Sequence, residues 1–347
     1  MIDLSIIIVS WNVSGLLCSC LKSIQSSPVT TVPPESEPVY PSKQPTVEII
    51  VVDSASSDDT LQMLCDFPDA KVITCSENLG FARCSNIGMR VARGRYFLLL
   101  NPDTEVIGDA LPIMIHYLDA NPSVGIVGPH TIDTDGSTQR TRCRFHTFIV
   151  VLFKSPILKT FAPKSVLEYF YVIGPSDDAV LDVDWVQGSA LMARREVYEQ
   201  IGPLDETFPM YMEDTDWCHR AKDHGWRVVY LGTAKIVHHF GKSSEQVPAV
   251  RHIYYWQSMI YYLHRYNGAI TAELSRLFTL ASYALLGAIE WFRARLGHSP
   301  ELRRKQAVIC REVLRSKLII DDRRRENRRL LELSRALLAT EELSEAR

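Results

Sequence analysis

Val47-Glu48-Ile49-Ile50-Val51-Val52-Asp53-Ser54-Ala55-Ser56-Ser57-Asp58-Asp59-Thr60 changes character at Asp53. Apart from Glu48, the residues before Asp53 are β-branched and apolar, the composition of a strand covered on both faces. Those after it offer hydroxyls and carboxylates that favour turns and caps, so a helix is expected from Thr60. Strand, polar loop and helix make one βα unit. A second is legible upstream, where Leu4-Ser5-Ile6-Ile7-Ile8-Val9 is apolar but for Ser5, and Asn12 or Ser14 can cap a helix through Lys22 and Ser23. Downstream, Lys71 to Cys75 reads as a third strand, Phe81 to Arg90 as a helix and Tyr96 to Leu100 as a fourth strand ending at Asn101-Pro102-Asp103. This alternation predicts an α/β domain with a mainly parallel sheet. Pro28, Pro33, Pro34, Pro38, Pro41 and Pro45 read as an exposed loop without regular structure.

The chain has 347 residues, 46% of them hydrophobic, enough for one large core with an appendage or for two modest domains. Its net charge of -3 divides into an acidic body and a basic tail after Arg293, which does not point to a nucleic-acid partner. Eight cysteines without Cys-x-x-Cys pairs or zinc-type spacing suit reduced thiols. The chain opens directly into a strand, without a basic flank or an apolar stretch of signal-peptide length, so a cytoplasmic location is expected.

Polar residues collect where the strands end. Trp11, Asp53, Asn78 and Asp103 should therefore meet in one crevice at the carboxyl edge of the sheet. Asp53 suits a base or ribose, or equally a helix cap. Gly80 relaxes the backbone before a helix carrying Arg83 and Asn86, which either faces a diphosphate or is a capped core helix. Asp103 offers the hard oxygen that a divalent cation prefers. Glu213, Asp214 and Asp216 crowd three carboxylates into four residues, which raises at least one pKa and readies it for proton transfer, unless the helix dipole alone explains them. Trp226 to Tyr230 and Ile236 to His239 read as two more strands, the second running into Gly241-Lys242-Ser243-Ser244, a loop able to supply a metal ligand and phosphate donors.

Taken in order, the motifs resemble glycosyltransferase family 2, especially its rhamnosyltransferase-like bacterial members. The matching elements are Val9-Ser10-Trp11-Asn12, Val51 to Asp58, Glu77-Asn78-Leu79-Gly80-Phe81 with Asn86 and Gly88, and Leu100-Asn101-Pro102-Asp103. Gln187-Gly188-Ser189-Ala190, Glu213-Asp214-Thr215-Asp216 with Arg220 and Gly225, and His238 with Gly241 and Ser243 complete the set. The resemblance spans residues 3 to 245. It implies a type-A glycosyltransferase fold, a Rossmann-like mixed sheet flanked by helices, with a nucleotide-sugar half to about residue 130 and an acceptor half to about 250. A helical extension follows over residues 251–347. It implies an inverting, Mg²⁺- or Mn²⁺-dependent enzyme that moves a sugar from a nucleotide-sugar to a glycan or lipid-linked acceptor in cell-surface polysaccharide synthesis. Trp11, Asp53, Asn78, Gly80, Arg83 and Asn101 would bind the donor, and Asp103 and His238 the metal. Asp214 would be the base, with Trp185, Gln187, Gly188 and Glu213 around the acceptor. Asn101 stands where the best-known metal motif, Asp-x-Asp, has its first Asp.

Two other classes remain in view. A nucleotidyltransferase shares such a core, but Ser10-Trp11-Asn12-Val13-Ser14 is not its Gly-rich, Arg-containing loop. A catalytically dead scaffold would not need Asp103, Asp214 and His238 together. Past Val250, Tyr254, Tyr255, Trp256, Tyr261, Tyr262 and Tyr266 precede an apolar run, Leu277 to Phe292, shorter than the ~20 residues that span a bilayer. A charged helix over residues 301 to 343 is expected beyond it, with Arg303, Arg304, Arg323 and Arg328 among its cations. The segment either touches the inner face of the cytoplasmic membrane or packs as a helical subdomain, and its tail could join two copies of the chain.

Overall fold

The computed structural model describes residues 2–37, 42–239, 248–296 and 300–319. The chain divides into two compact units, one formed by Met1–Phe145, Glu168–Pro209 and Glu213–Ser243, the other by His146–Leu167, Met210–Met212 and Ser244–Arg347.

The larger unit is built on the predicted βα units. Strand β1 (Leu4–Ser10) leads to α1 (Ser14–Ser26), β2 (Thr30–Thr31) and β3 (Thr46–Asp53); then come α2 (Thr60–Leu64), β4 (Ala70–Thr74), α3 (Phe81–Val91) and β5 (Tyr96–Leu100). β1 runs parallel to β3 on one side and to β5 on the other, with Ser10 beside Asp53 and Ile8 beside Leu100. All of β3 is buried, and all of β1 except Val9, which is why these strands show continuous Val and Ile rather than alternation. The fit is close through β5. Thr30–Thr31 is a departure, a two-residue strand on β3 inside the proline-rich stretch, on residues that lie between Pro28 and Pro33 and keep their own N–H groups.

After β5 the sheet becomes mixed. β6 (Thr104–Val106), α4 (Ala110–Ala120) and β7 (Val124–Ile132) are followed by the short β8 (Arg142–Cys143), α5 (Phe148–Lys154), α6 (Lys164–Phe170) and β9 (Val180–Val183). These last pieces are too short to show a period. β10 (Trp185–Val186) pairs with β8, while β11 (Ala190–Arg194) runs antiparallel between β5 and β7. α7 (Arg195–Ile201) and α8 (Glu213–Asp223) precede β12. The two strands expected from Trp226 to His239 are one, β12 (Arg227–His238), because the chain absorbs Gly232 and its neighbours as an irregularity between Leu231 and Lys235 instead of turning.

The smaller unit is helical. It contains α5, a 3-10 turn at Leu158–Phe161, α9 (Pro248–Asn267), α10 (Ala269–Arg295) and α11 (Pro300–Ser316). Trp256, Tyr262 and Tyr283 are buried in it, so these aromatics pack a helical core. The charged helix expected over residues 301 to 343 ends at Ser316, where Lys317 and Leu318 turn left-handed with φ of 52° and 53°. The arginines after Ile319 lie outside the described residues.

Gly94 shows how closely the sheet edge is packed. A Cβ there would stand 2.5 Å from the Ser5 backbone nitrogen and 2.8 Å from the Leu4 carbonyl carbon, neither of which can swing aside. Gly94→Ala should cost about 2–3 kcal/mol, the upper part of the overpacking range. Urea unfolding measures it, and an unchanged midpoint would refute this account of the edge.

Candidate functional site

The strand order reverses at β1, and in open α/β sheets the crevice at the carboxyl ends beside such a reversal is where ligands bind. The loop after β3 lines it. One oxygen of the Asp53 carboxylate accepts the Ser56 N–H at 3.0 Å, while Oδ1 is buried with no hydrogen-bond partner among the described residues. Asn12 N–H donates to Ser56 Oγ, and Asn12 Oδ1 accepts the Ser57 N–H, tying the loop after β1 to the loop after β3. Asn12 and Ala55 hold this join with left-handed φ of 52° and 61°. Ser54 carries the next link: its hydroxyl donates to Asn78 Oδ1 at 3.1 Å and accepts the Leu79 N–H at 3.0 Å. Asn78 Oδ1 also accepts the N–H of Gly80, whose φ of 79° suits glycine. Asn78, Leu79 and Gly80 thus form one hydrogen-bonded group around Ser54, the chain neighbour of Asp53. Sequence reading quoted Ser54 in a motif and gave it no role.

Arg83 pairs with Glu206 at 3.3 Å, and the same carboxylate accepts Asn86 Nδ2–H at 3.0 Å. Asn86 also brackets Leu204, donating to its carbonyl and accepting its N–H, so this group fastens α3 to the segment after α7. Trp11 is half-buried at the end of β1.

Asp103 and His238 come together. His238 stands opposite Thr104 where β12 pairs with β6, and the His239 N–H donates to the Asp103 carbonyl at 2.8 Å. The side chains are both buried, with His238 Nε2 3.4 Å from Asp103 Oδ1. Gln139, which carried no signal in the sequence, fixes the ring. Its amide nitrogen donates to Asp133 Oδ1 and to the His238 carbonyl, which turns its Oε1 toward His238 Nδ1 at 2.9 Å. Nδ1 therefore carries the hydrogen in neutral His238, and Nε2 presents its lone pair toward a carboxylate. Two such acceptors face each other comfortably across a shared cation, and adjacent ligands of a small divalent ion stand about 3 Å apart. The pair fits a divalent metal as two of its ligands. Among the described residues no third His, Cys, Asp or Glu joins them. Gly241 and Ser243 lie outside the described residues.

Asp214 lies across the same edge. Its Oδ2 accepts the Gly188 N–H at 2.8 Å and its Oδ1 accepts the Thr215 N–H and hydroxyl. Burial raises its pKa against these three donors. Glu213 beside it is buried, with Oε2 unpartnered among the described residues, and burial reinforced by the Asp214 charge holds its pKa well above the usual carboxylate range. Asp216 is spent on Arg220 one turn along α8. The backbone entering α8 is strained, since Tyr211 and Met212 both have φ near 70° (69° and 68°); such residues cost about 1–3 kcal/mol each and cluster at functional sites. Gly188 is 3.2 Å, measured from an added Cβ, from both Asp214 Cβ and Oδ2. Ser189 C=O accepts the Asn101 N–H at 2.9 Å, which joins the Asp214 side of the site to the turn that carries Asp103. Trp185 is buried and its indole N–H donates to the Arg144 carbonyl, while the Gln187 N–H donates to Thr141.

The sequence model described as glycosyl transferase family 2 matches residues 5–187, more than half of the chain. The chain belongs to that family. It is therefore a glycosyltransferase, and its sheet and flanking helices form the type-A fold of such enzymes. An N-acetylglucosaminyl-diphospho-decaprenol L-rhamnosyltransferase of Mycobacterium tuberculosis is 27% identical over 215 residues, 58% of this chain and 70% of the relative. A dTDP-rhamnosyl transferase, RfbF, of Shigella flexneri is 24% identical over 208 residues, 59% of this chain and 64% of the relative. Among solved structures, the mannosyltransferase PcManGT of Pyrobaculum calidifontis, in complex with GDP-Man and Mn²⁺, superposes with a TM-score of 0.50 at 17% identity, covering 90% of this chain and 85% of the other.

For a family 2 glycosyltransferase the contact of Gly188 with Asp214 should be exacting. Gly188→Ala crowds the carboxylate by a few tenths of an ångström, and turnover is expected to fall, by less than the ~10²-fold cost of a ~1 Å misplacement. Nucleoside diphosphate affinity, measured by calorimetry, should stay near wild type. Equal losses of turnover and affinity would assign Gly188 to the donor pocket instead.

Proposed function

We propose that this chain is an inverting, metal-dependent glycosyltransferase that transfers a sugar, rhamnose first among the candidates, from a nucleoside diphosphate to a glycan or lipid-linked glycan of the cell surface. The names of the rhamnosyl relatives support the donor, and the first of them supports a lipid-diphosphate acceptor. The reaction is placed at the cytoplasmic face of the membrane. No helix among the described residues is long and apolar enough to cross it. Residues 1–250 are assigned to catalysis, with the nucleotide-sugar half ending near 130, and residues 251–347 to a helical extension.

One observation carries the reading: the Asn101–Ser189 hydrogen bond, which ties the strand end presenting Asp103 to the Gly188 backbone that holds Asp214. An in-line displacement needs charge neutralised at the departing diphosphate and a proton accepted at the incoming hydroxyl, and these two carboxylates suit those roles. Asp53 Oδ1, with Asn78 and the Gly80 backbone, would hold the nucleoside, with Trp11, Arg83 and Asn101 at its borders. Asp103 and His238 would hold Mg²⁺ or Mn²⁺, which when bound offsets the charge of the diphosphate. Asp214, with its pKa raised by burial, would take the acceptor proton. Trp185, Gln187, Gly188 and Glu213 would border the acceptor.

The metal assignment has a direct measurement. Mn²⁺ added to the protein with nucleoside diphosphate should lose its free-ion paramagnetic resonance signal, and His238→Ala or Asp103→Ala should restore it. Chelation should abolish transfer; full transfer after exhaustive chelation would exclude a metal role.

The two buried carboxyls separate by pH. A base works only when ionised, and a raised pKa moves the loss of activity at falling pH upward from the usual range near 4. Asp214→Asn should lower turnover ~10²–10⁴-fold. Glu213→Gln should keep most turnover and most of the acid limb, because burial and the neighbouring Asp214 charge favour the neutral form of Glu213. A dead Glu213→Gln with an active Asp214→Asn would transfer the base role to Glu213.

A further inference from the structure

Helix α10 is inside out. Its buried positions are Ala272, Ser275, Thr279, Ser282, Tyr283 and Glu290, mostly small or polar. Its exposed positions are apolar except for Glu273, Arg293 and Arg295. Ile270, Leu274, Leu277, Leu285, Phe292 and Leu296 recur at helical spacing along the outward face, each at least half exposed, and Trp291 stands beside them at 53%. A soluble helix does the reverse, turning its apolar stripe to the core. At 27 residues the helix is about 40 Å long, so the stripe far exceeds a scattered surface leucine. No described residue covers it.

The charges around the stripe indicate what does. Glu273 is held by two hydrogen bonds from Arg276, and Glu290 is buried under Arg303. Glu312 on α11 is buried beside Arg315. Glu273 is thus the one exposed carboxylate among the described side chains of α10 and α11, against Arg293, Arg295, Arg304, Arg311 and Arg315. The Arg295 guanidinium lies 4.1 Å from the Trp291 ring centroid, joining a cation to an aromatic at the end of the stripe. An apolar face with cationic margins and an aromatic end is the chemistry of a helix lying in the headgroup region of an anionic bilayer.

We infer that the outward face of α10 is a membrane-docking surface, which lies flat in an anionic lipid interface without crossing it. The inference deepens the proposed function, since an acceptor on a lipid diphosphate must be met at the bilayer, but its test does not need catalysis. The full chain is sedimented with phosphatidylcholine vesicles with and without phosphatidylglycerol. It should bind the anionic vesicles and be released as salt rises, because the Debye length falls from about 10 Å at 0.1 M to about 3 Å at 1 M. Leu277→Glu with Phe292→Glu should weaken binding about tenfold or more. Both positions are exposed, so the melting temperature and donor hydrolysis should be unchanged. Arg293→Glu with Arg295→Glu should remove the preference for anionic vesicles.

Wild-type chain that stays in the supernatant at low salt would overturn the inference and leave the sugar-transfer reading standing. Binding without any nucleotide-sugar turnover would do the opposite. A stable dimer, which the Leu277→Glu, Phe292→Glu variant converts to monomer in sedimentation equilibrium, would make the face a subunit interface and overturn the lipid assignment.

Discussion

β11 runs antiparallel to β5, with Ala190 opposite Leu100, in a sheet whose first strands are all parallel. A parallel strand would enter from the other edge and bring its amino-terminal loop to the wrong end. Because β11 is reversed, the residues just before it, Gln187 to Ser189, arrive where β1, β3 and β5 end. Gly188 can then offer its N–H to Asp214, and Ser189 can accept from Asn101. The loop after β3 and the Asp103 turn share one edge because β3 and β5 are parallel, and the reversal of β11 links the carboxylate cluster to them.

The reversal also sets the electrostatics. Three donors surround Asp214, so its charge can be tolerated in a buried place, although burial still lifts its pKa. Glu213 has no such set, and two ionised carboxyls side by side in low dielectric repel strongly. The inexpensive arrangement is one charge and one proton, with the charge on the residue that has the donors. That is a physical reason to place the base on Asp214, beyond its position in a motif. Opposite them, the Gln139 amide decides which nitrogen of His238 is open toward Asp103, an orienting contact of the kind that commonly fixes metal-binding histidines.

Much of this was legible in residues 3 to 103, where strand, loop and helix alternate and each strand announces its end with a polar residue. The pairing of Asp103 with His238 was legible too, but only through a motif spread along the chain. Gln139 was not, because it lies in a segment of two- to seven-residue elements where no period can develop. Ser54 stood beside a named residue, yet a serine in a serine-rich loop has no property that singles it out. Arg83 has a partner that spacing does not reveal: a cation at a helix start invites a phosphate, and Glu206, distant in sequence, also reaches it. The two strands expected between Trp226 and His239 are one, and Gly232 inside it permits close approach to Asp177 and Asp178.

The outward face of α10 could be seen as apolar but not as exposed, since a run such as Leu277 to Phe292 reads equally well as core. What fixes its direction is the polar side. Tyr283 takes Trp256 Nε1–H on its hydroxyl and meets His252 Nδ1 at 2.8 Å, and Glu290 takes two bonds from Arg303. Turning the helix over to bury its leucines would leave these groups without the partners that make their burial tolerable, a loss of about 1–3 kcal/mol for each stranded polar group and more for a charge. The packing of the helical unit therefore holds the apolar stripe outward. An exposed face held in place by satisfied buried polar groups is a specified surface, and a specified apolar surface calls for an apolar partner.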